Sequence, residues 1–429
     1  MREMPTVTST ATYRRLLDKL PREMLPNNTS IEFLFAAPDE ILAPRELEIF
    51  FRLRESKDVD LAAPCALRSS MVLIMKATRL CNLRCTYCNS WKAGPNQVMG
   101  FEVLAKTTRD ALQRREVRHV NFVWHGGEVT LLPIGFFKKA LWLQRMFESE
   151  GQVITNSIQT NATRLNDEWI SLFASMRFDV GVSIDGPREI HDRRRRTVSG
   201  RPTWNQVRAG IARMQQANLP CAVLVVVDRD VVELGAERLL SCLLELKVPA
   251  AALLNVLPPN DEVQPTGNSY LPWSDYVIFL QEMFRCWWPT HRHEIDIADL
   301  STLINNLSGR APNLCVYAGD CMGQFVTIEP NGTVSACDKY IRDRQFEFGN
   351  LLMADLNEVL AISKNLAAAR TSAASEVSRM SACKYHSICR GGCPHDRRLN
   401  RIYQAGWDGR CCGLANLLDQ ISAATHNDG

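Results

Sequence analysis

Short apolar runs alternate with longer amphipathic stretches between residues 71 and 300. These strand-like runs are six to eight residues long, and the stretch after each one has helical spacing. Six such units occur, with strands predicted at 71–77, 117–124, 153–160, 179–184, 221–227 and 251–257. Strands that alternate with helices pair in parallel through right-handed crossovers. The pattern therefore predicts an α/β fold, a partial (β/α)6 barrel with chemistry at the carboxyl ends of its strands.

The alternation stops near residue 300 and a cysteine-rich segment follows. Eight of the fifteen cysteines fall between Cys315 and Cys412, where Gly and Pro turns are frequent. Residues 1–70 contain helix-like and strand-like pieces but no motif with a chemical mechanism. We therefore expect three parts, an accessory region at 1–70, a barrel at 71–300 and a metal-dense module at 301–429.

Composition narrows the setting of the protein. A hydrophobic content of 46% with 23% charged residues is that of a globular chain. Lys and Arg exceed Asp and Glu by only 50 − 47 = 3, which gives no case for nucleic-acid binding. We find no signal peptide and no run of about 18 apolar residues, so we expect a cytoplasmic protein without a membrane segment. Cysteines in a reducing compartment serve metal binding or catalysis more often than disulfides.

Three cysteines lie close together directly after the first predicted strand. The stretch "CNLRCTYC" places them at Cys81, Cys85 and Cys88. Structural zinc takes four protein ligands, and a 4Fe-4S cluster normally takes four thiolates, one for each iron. Three thiolates leave one iron open to chelate a small molecule with an amino and a carboxylate group, such as the methionyl end of S-adenosylmethionine. A zinc loop and a group of core cysteines are the alternatives.

The CxxxCxxC spacing, with the aromatic Tyr87 before the last cysteine, resembles the signature of the radical S-adenosylmethionine (radical SAM) superfamily. The resemblance implies a SAM-binding 4Fe-4S cluster on these three cysteines. "WHGGE" at 124–128 resembles the GGE motif of that family. It implies that Gly126, Gly127 and Glu128 contact the ammonium group of the cofactor, although an ordinary glycine turn has the same sequence.

Two further motifs end the third and fourth predicted strands. They are "IQTNAT" at 158–163 and "SIDGP" at 183–187. By the same resemblance, Ser183 and Asp185 are candidates for cofactor contacts. Each motif alone is also typical of helix caps and turns, and the order of all four along the chain is what carries the resemblance.

The C-terminal cysteines resemble those of the SPASM domain, which carries two auxiliary 4Fe-4S clusters. By resemblance the first cluster takes Cys315, Cys321, Cys337 and Cys393. The second takes Cys383, Cys389 and Cys411, and Met380 stands where the family has the fourth cysteine. Cys412 is the candidate for that fourth ligand, with an open iron as the alternative. A tail that binds two zinc ions is the other interpretation of the segment.

Resemblance is closest to anaerobic sulfatase-maturing enzymes and to SPASM maturases that crosslink ribosomally made precursor peptides (RiPP maturation). The motifs "WHGGE", "QTN", "SIDGP", "NGTVSACD" and "CRGGCP" carry it. It implies an oxidoreductase that abstracts a side-chain hydrogen with a 5′-deoxyadenosyl radical and receives electrons from an external flavodoxin or ferredoxin. Asp338, which follows Cys337, is implied as a general base, with a plain surface carboxylate as the alternative.

The sequence is compatible with several reactions. We favour a crosslink of the cyclophane type, because 70 additional N-terminal residues suit the docking of a precursor peptide. The alternatives are oxidation of Cys or Ser to formylglycine in a sulfatase, and oxidation of a small molecule. A pure electron carrier would need neither "WHGGE" nor a barrel.

Several other residues stand out in the sequence, and no functional role is assigned to them. "HDRRRRTVSG" at 191–200 is interpreted as a solvated face rather than an anion-binding patch. Trp287 and Trp288 are expected to pack inside a helix layer. The isolated cysteines are expected to behave as small hydrophobic residues, and they are Cys65, Cys221, Cys242 and Cys286.

Overall fold

The structure is a computed structural model, and it describes residues 31–55, 69–90, 97–114, 116–258, 270–310, 312, 314–319 and 321–427. Cys65 and most of the accessory region 1–70 lie outside the described residues. No helix in the described parts combines the length and the apolar character that crossing a bilayer requires.

In the described residues, ten strands form one sheet. They are β1 (Ser70–Thr78), β2 (His119–Gly126), β3 (Val153–Thr160), β4 (Asp179–Ser183), β5 (Cys221–Val227), β6 (Ala250–Asn255), β7 (Asp296–Ile297), β8 (Phe325–Ile328), β9 (Thr333–Ser335) and β10 (Glu347–Asn350). Their order is β10-β9-β8-β1-β2-β3-β4-β5-β6-β7. Strands β1 to β7 pair in parallel, as do β1 and β8, whereas β8, β9 and β10 pair antiparallel.

Helices connect the parallel strands and cover the sheet. The α-helices in the described residues are α1 (Pro38–Ile41), α2 (Pro44–Glu55), α3 (Phe101–Leu112), α4 (Ile134–Phe147), α5 (Asp167–Ser175), α6 (Arg188–Arg194), α7 (Trp204–Gln216), α8 (Arg229–Leu234), α9 (Ala236–Glu245), α10 (Trp273–His291), α11 (Ala298–Leu307), α12 (Leu356–Ile362), α13 (Lys364–Arg379), α14 (His386–Cys389), α15 (Pro394–Tyr403) and α16 (Ala415–Asn427). Short 3-10 turns include Cys315–Tyr317 and Asp338–Tyr340.

The predicted fold class is confirmed. All six predicted strands are present with ends displaced by three residues or fewer, and a helix follows each of them. Strands β7 and β10 are the two edges of the sheet, so the barrel is partial. The strands form from apolar residues that both faces of the sheet cover to different extents. In β5, with the sequence CAVLVVV, Val223, Val225 and Val227 on one face are fully buried, while Ala222, Leu224 and Val226 on the other face are partly buried.

The C-terminal module contributes three short strands to the same sheet, which the sequence does not predict. β8 lies beside β1 in parallel, with Val72 opposite Phe325 and Met75 opposite Ile328. Residue 300, the predicted boundary, lies inside α11. That helix packs on β6 and also on α14 and α16. The three-part division of the chain stays a prediction.

The described part of the accessory region packs on the outside of the barrel. In α2, the buried Phe50 lies against Trp142 of α4 with ring centroids 4.9 Å apart. Glu46 at the start of α2 accepts a 2.5 Å hydrogen bond from Lys139. An aromatic contact and an ion pair thus fix α2 on the helix layer that follows β2.

Candidate active site at the carboxyl ends of the strands

The cysteine loop follows β1 and pairs with the arginine-rich segment after α6. Leu83 forms a bridge with Thr197, Arg84 N donates to Arg196 O at 2.8 Å, and Thr86 N donates to Arg194 O at 3.0 Å. Cys85 is buried, whereas Cys81 and Cys88 are partly buried. The backbone of a second segment therefore holds the three cysteines in position.

Asparagine side chains anchor the opposite flank of the same loop to the end of β3. Asn82 Oδ1 accepts a 3.0 Å bond from Asn161 Nδ2, and Asn82 Nδ2 donates to Thr163 Oγ1 at 2.8 Å. Asn161 and Thr163 belong to the "QTNAT" motif, so this motif supports the cysteine loop. Any direct contact of the motif with the cofactor stays a prediction.

The glycine pair after β2 lets two chain segments approach each other. A Cβ atom on Gly126 would lie 2.1 Å from Thr78 O, and one on Gly127 would lie 2.0 Å from Leu80 O. Gly127 N and Glu128 N donate to these same two carbonyl oxygens at 2.7 Å. The backbone N–H groups of this turn thus bind the entry to the cysteine loop, and only glycine fits at the two positions.

Glu128 is buried, and protein donors surround its carboxylate. Oε1 accepts from Thr130 N, Thr130 Oγ1 and Thr160 Oγ1 at 3.1, 2.6 and 2.7 Å, and Oε2 accepts from Asn161 N at 2.7 Å. The side chain therefore ties the end of β2 to the end of β3. The contact of Glu128 with a ligand ammonium group stays a prediction beside this structural role.

Tyr87 and Asp185 lie together beneath the loop. Tyr87 Oη donates to Asp185 Oδ2 at 2.7 Å, and Arg195 Nη1 donates to Tyr87 Oη at 2.5 Å. The Arg194 guanidinium lies 4.8 Å from the centre of the Tyr87 ring. Burial alone would raise the pKa of Asp185, but Arg194 and Arg195 outweigh it and lower that pKa. Asp185 is thus an ionised anchor for Tyr87.

The interpretation of the arginine run as a solvated face is wrong for two of its members. Arg194 and Arg195 are buried, while Arg193 is more than half exposed. The buried pair is tolerated because Asp185 and Asp228 lie beside Arg194, at 3.7 and 3.3 Å. Ser183 is only partly buried, and its Oγ accepts a 2.8 Å bond from Gln159.

The donor set of the loop fits an iron-sulfur cluster. Burial raises the pKa of the Cys81 thiol to about 11 and that of the Cys85 thiol to about 12. Metal ligation therefore requires the release of protons from these thiols. In the described part of the chain, no three His, Cys, Asp or Glu side chains are arranged to hold a single metal ion. A cubane accepts a different arrangement, because each thiolate binds its own iron.

Asp338 lies at the carboxyl end of β1, paired with a lysine that the sequence analysis missed. Lys76, in β1, is fully buried and forms an ion pair with Asp338. Lys76 Nζ also lies 2.8 Å from Nδ1 of His125, its partner across the β1–β2 pair, and His125 Nδ1 lies 3.6 Å from Asp338 Oδ2. One third of the Asp338 side chain is exposed, while its Oδ1 atom is buried on the side of Lys76.

The charges in this triad follow from burial and pairing. Burial lowers the pKa of Lys76 and, together with Lys76, lowers the pKa of His125 to about 4. Burial alone would raise the pKa of Asp338, but Lys76 and His125 hold it well below its usual range. The triad therefore holds a neutral imidazole and a carboxylate that is ionised at neutral pH.

The four cysteines assigned to the first auxiliary cluster lie close enough to interact electrostatically. Burial raises the pKa of Cys337, and Cys393, Cys321 and Cys315 raise it further. Cys321 precedes β8, Cys337 follows β9, and Cys393 precedes α15. Strands that belong to the barrel sheet therefore carry two of the four candidate ligands.

The structure also brings together Cys383, Cys389, Cys411 and Cys412. Their thiols are close enough to influence one another, Cys411 beside Cys383 and Cys412 beside both Cys411 and Cys389. Met380 is buried in the core. The geometry thus supplies a fourth thiol beside the three matched ones, while ligation by Cys412 stays a prediction.

Residues without an assigned role pack as expected where they are described. Trp287 is buried, and its indole Nε1 donates to Ile295 O at 2.7 Å. Cys221 in β5 and Cys242 in α9 are buried, and Cys286 donates from Sγ to Glu282 O. These positions contribute to packing.

Two family models match the chain. The model of the radical SAM superfamily matches residues 75–233, and the model of the SPASM iron-sulfur cluster-binding domain matches residues 315–394. A serine-type anaerobic sulfatase-maturating enzyme of Bacteroides thetaiotaomicron is 28% identical over 360 residues, which is 76% of this chain and 83% of the relative. A cysteine-type enzyme of Clostridium perfringens is 28% identical over 329 residues, 75% of this chain and 88% of the relative.

Solved structures show the same fold. The enzyme anSMEcpe with bound AdoMet superposes with a TM-score of 0.71 at 25% identity, covering 83% of this chain and 99% of that one. Its complex with AdoMet and the Cp18Cys peptide gives 0.70 at 26% identity, covering the same shares of both chains. Streptococcus suis SuiB bound to S-adenosylmethionine gives 0.54 at 15% identity, covering 90% of this chain and 84% of that one. The likeness to SuiB concerns the fold alone.

Proposed function

The chain is a radical SAM enzyme with a SPASM domain, and from this premise we propose that it oxidises a Cys or Ser side chain in a peptide or protein. S-adenosylmethionine and iron-sulfur clusters are its cofactors. Cys81, Cys85 and Cys88 would hold one 4Fe-4S cluster, which together with S-adenosylmethionine would supply the radical that removes a hydrogen atom from the substrate. The substrate radical must then lose one proton and one electron. The protein has to accept the proton, and the auxiliary clusters proposed at the C-terminal cysteines would accept the electron.

The observation that carries this proposal is the position of Asp338. Its ionised carboxylate is partly exposed at the carboxyl end of β1, and Lys76 and His125 hold it in place. A carboxylate with a lowered pKa is a weak base, so it suits the acidic O–H or S–H of a carbon radical that bears oxygen or sulfur. The names of the relatives, which are serine-type and cysteine-type maturating enzymes, agree with such a substrate.

The test uses anaerobically reconstituted, reduced protein with S-adenosylmethionine and peptides that contain one Cys or one Ser. We expect a new aldehyde, formed directly from Ser, and from Cys by hydrolysis of a thioaldehyde with release of sulfide. A hydrazide reagent captures the aldehyde and mass spectrometry locates it. Since a crosslinked peptide and an oxidised serine both lose two hydrogens, the hydrazide distinguishes them. A product without an aldehyde but with a fragmentation-resistant ring would overturn the proposal.

Asp338→Asn tests the role of the base. We expect product formation to fall by about 100-fold or more, while 5′-deoxyadenosine is still released, because hydrogen removal precedes proton loss. Asp408→Asn is the matched control, since the Asp408 side chain is 62% exposed on the surface. Wild-type product formation in Asp338→Asn would contradict the assignment.

Crosslinking of a precursor peptide is the second candidate. One observation favours it, namely that α2 is docked on the barrel by Phe50 and Glu46, ahead of the segment that the radical SAM model matches. A docked N-terminal segment of this kind suits recognition of a leader peptide. The test is the same assay with peptides that are fused to the product of a short neighbouring gene. An external flavodoxin or ferredoxin as the electron donor also stays a prediction.

A further inference from the structure

In the first auxiliary site, a lysine lies beside one of the candidate cluster ligands. Lys339 Nζ lies 3.8 Å from Cys393 Sγ, and it donates to both carboxylate oxygens of Asp396 at 2.8 and 2.9 Å. Lys339 belongs to the turn Asp338–Tyr340, two residues after Cys337. Asp396 lies in the first turn of α15. The segments that carry two candidate ligands therefore also carry this ion pair.

The ion pair is largely removed from solvent. The Lys339 side chain is 25% exposed and that of Asp396 is 9% exposed. Burial opposes the charge on Lys339, but Asp396 and Cys393 outweigh it and raise the pKa of Lys339. Burial also opposes the charge on Asp396, but Lys339 outweighs it and lowers the pKa of Asp396. Neighbouring His395, with Nδ1 3.5 Å from Asp396 Oδ1, has its pKa lowered by burial.

We propose that the Lys339–Asp396 ion pair sets the reduction potential of the first auxiliary cluster, an inference that rests on the proposed function for the presence of that cluster. A cluster becomes more negative when it is reduced. A nearby ammonium group and an N–H···S contact therefore favour the reduced form and raise the potential, whereas a nearby carboxylate lowers it. In the wild type the two charges oppose each other.

The geometry gives each partner of the pair a separate effect. Removing the ammonium group leaves the Asp396 carboxylate without its cationic partner beside Cys393 and Cys315, with which it interacts electrostatically. Removing the carboxylate leaves the Lys339 charge uncompensated against the same thiolates. The reduction potential of the cluster thus depends on both charges. Loss of the ammonium group should lower the potential, and loss of the carboxylate should raise it.

Lys339→Met, Asp396→Asn and the double variant test the proposal by redox titration followed with electron paramagnetic resonance. The titration uses full-length anaerobic protein in which Cys81, Cys85 and Cys88 are replaced by Ala, so that the SAM-binding cluster does not contribute a signal. We expect Lys339→Met to lower the potential of the first auxiliary cluster and Asp396→Asn to raise it. The double variant should return close to the wild-type potential.

Lys384→Met is the matched control, because Lys384 also pairs with an aspartate, Asp419, at 2.6 Å but both side chains are at least half exposed. We expect no shift in the potential of the first auxiliary cluster in this variant. Lys339→Arg, which keeps the charge, should stay near wild type even if Lys339→Met loads its cluster poorly. Shifts in one direction for both single variants, or no shift in either, would overturn the proposal.

The titration needs no substrate, so its result is separate from the search for a product. Failure to find an oxidised peptide would leave the proposed potential shifts intact. Absence of any cluster signal that depends on Cys315, Cys321, Cys337 and Cys393 would overturn both this inference and the assignment of the auxiliary site on which it rests.

Discussion

At the scale of single residues, the candidate base site contains one residue that the sequence analysis found and two that it missed. Asp338 was found because it follows a cysteine in a motif. Lys76 was missed because it lies in the apolar run "MVLIMKA", where a single lysine does not by itself indicate a functional site. His125 was missed because it was read as part of a glycine turn. An apolar strand that carries one lysine just before its carboxyl end is the signal that could have found Lys76.

Lys76→Met should change the pH profile of product formation. Asp338 accepts a proton only when ionised, so activity is lost as the pH falls through its pKa, which in the wild type lies below the ordinary 3.8. Without Lys76, burial raises this pKa, and the acidic limb of the profile should move to higher pH, with a rate loss of about 10-fold or more at neutral pH. Rates of peptide oxidation at several pH values measure the shift. Lys106→Met, on the outer helix α3, should keep the wild-type profile.

The adjacent pair Cys411–Cys412 permits a second prediction at this scale. If Cys412 is the fourth ligand beside Cys383, Cys389 and Cys411, then Cys412→Ala should lower the iron and sulfide content of reconstituted protein by about one cluster of three. Cys242→Ala, which removes an isolated buried thiol in α9, should leave both contents unchanged. Full iron content and an unchanged spectrum in Cys412→Ala would show that the ligand lies elsewhere.

At the scale of elements, strands and helices were predictable, while the contacts that fix their ends were not. Strand β5 is predicted directly by its run of apolar and β-branched residues, of which alternate ones are fully buried and the others partly buried. The pairing of the cysteine loop with residues 194–197 has no periodic signal, since it consists of backbone bonds in an irregular segment. The sequence predicts a solvated arginine run because charge alone does not show that Asp185 and Asp228 lie beside Arg194, or that Arg195 donates to Tyr87.

His191 joins two of these elements and permits a prediction about stability. The buried imidazole accepts from Asp185 N at 3.3 Å through Nδ1 and contacts Thr203 Oγ1 at 3.1 Å through Nε2. Burial lowers its pKa to about 4 in the folded state. The unfolded chain therefore binds more protons below pH 6.5, and this residue costs about 2 kcal/mol of stability between pH 6.5 and 5.

Urea unfolding of wild type and His191→Asn at pH 7 and pH 5 measures this effect. Asn retains an acceptor for Asp185 N but does not titrate. We expect the variant to be less stable at pH 7 and to lose less stability than the wild type on acidification. Equal losses in the two proteins would assign the acid sensitivity to other groups. His119→Asn is the control, because that imidazole is exposed at the start of β2.

At the scale of the whole molecule, the sequence predicted a barrel and a metal-dense module but not the sheet that they share. Strands β8, β9 and β10 are three or four residues long, which is too short for a period of two to stand out. β8 pairs with β1, which is about 250 residues away in sequence, and β9 and β10 extend the sheet from β8. A long-range partner of this kind leaves no trace in local patterning.

Val326→Pro should reveal the coupling between the two parts. Proline in β8 removes a ladder hydrogen bond, so β1 should lose protection against amide hydrogen exchange although it is unchanged in sequence. The measurement is hydrogen exchange of the β1 peptide, residues 70–78. Asp296→Pro, on the opposite edge strand β7, should leave that peptide protected. Undiminished protection of β1 in Val326→Pro would mean that the barrel holds this strand without β8.

The parallel β1–β8 register has a consequence for building chimaeras. A cysteine-rich tail taken from another enzyme would have to supply a strand that pairs with Val72–Met75 in the same register. Otherwise the carboxylate equivalent to Asp338 would not lie beside Lys76. A slip of one position turns the grafted strand over and directs its side chains to the other face. Exchange of tails between such enzymes is therefore constrained by strand alignment as much as by the choice of cysteines.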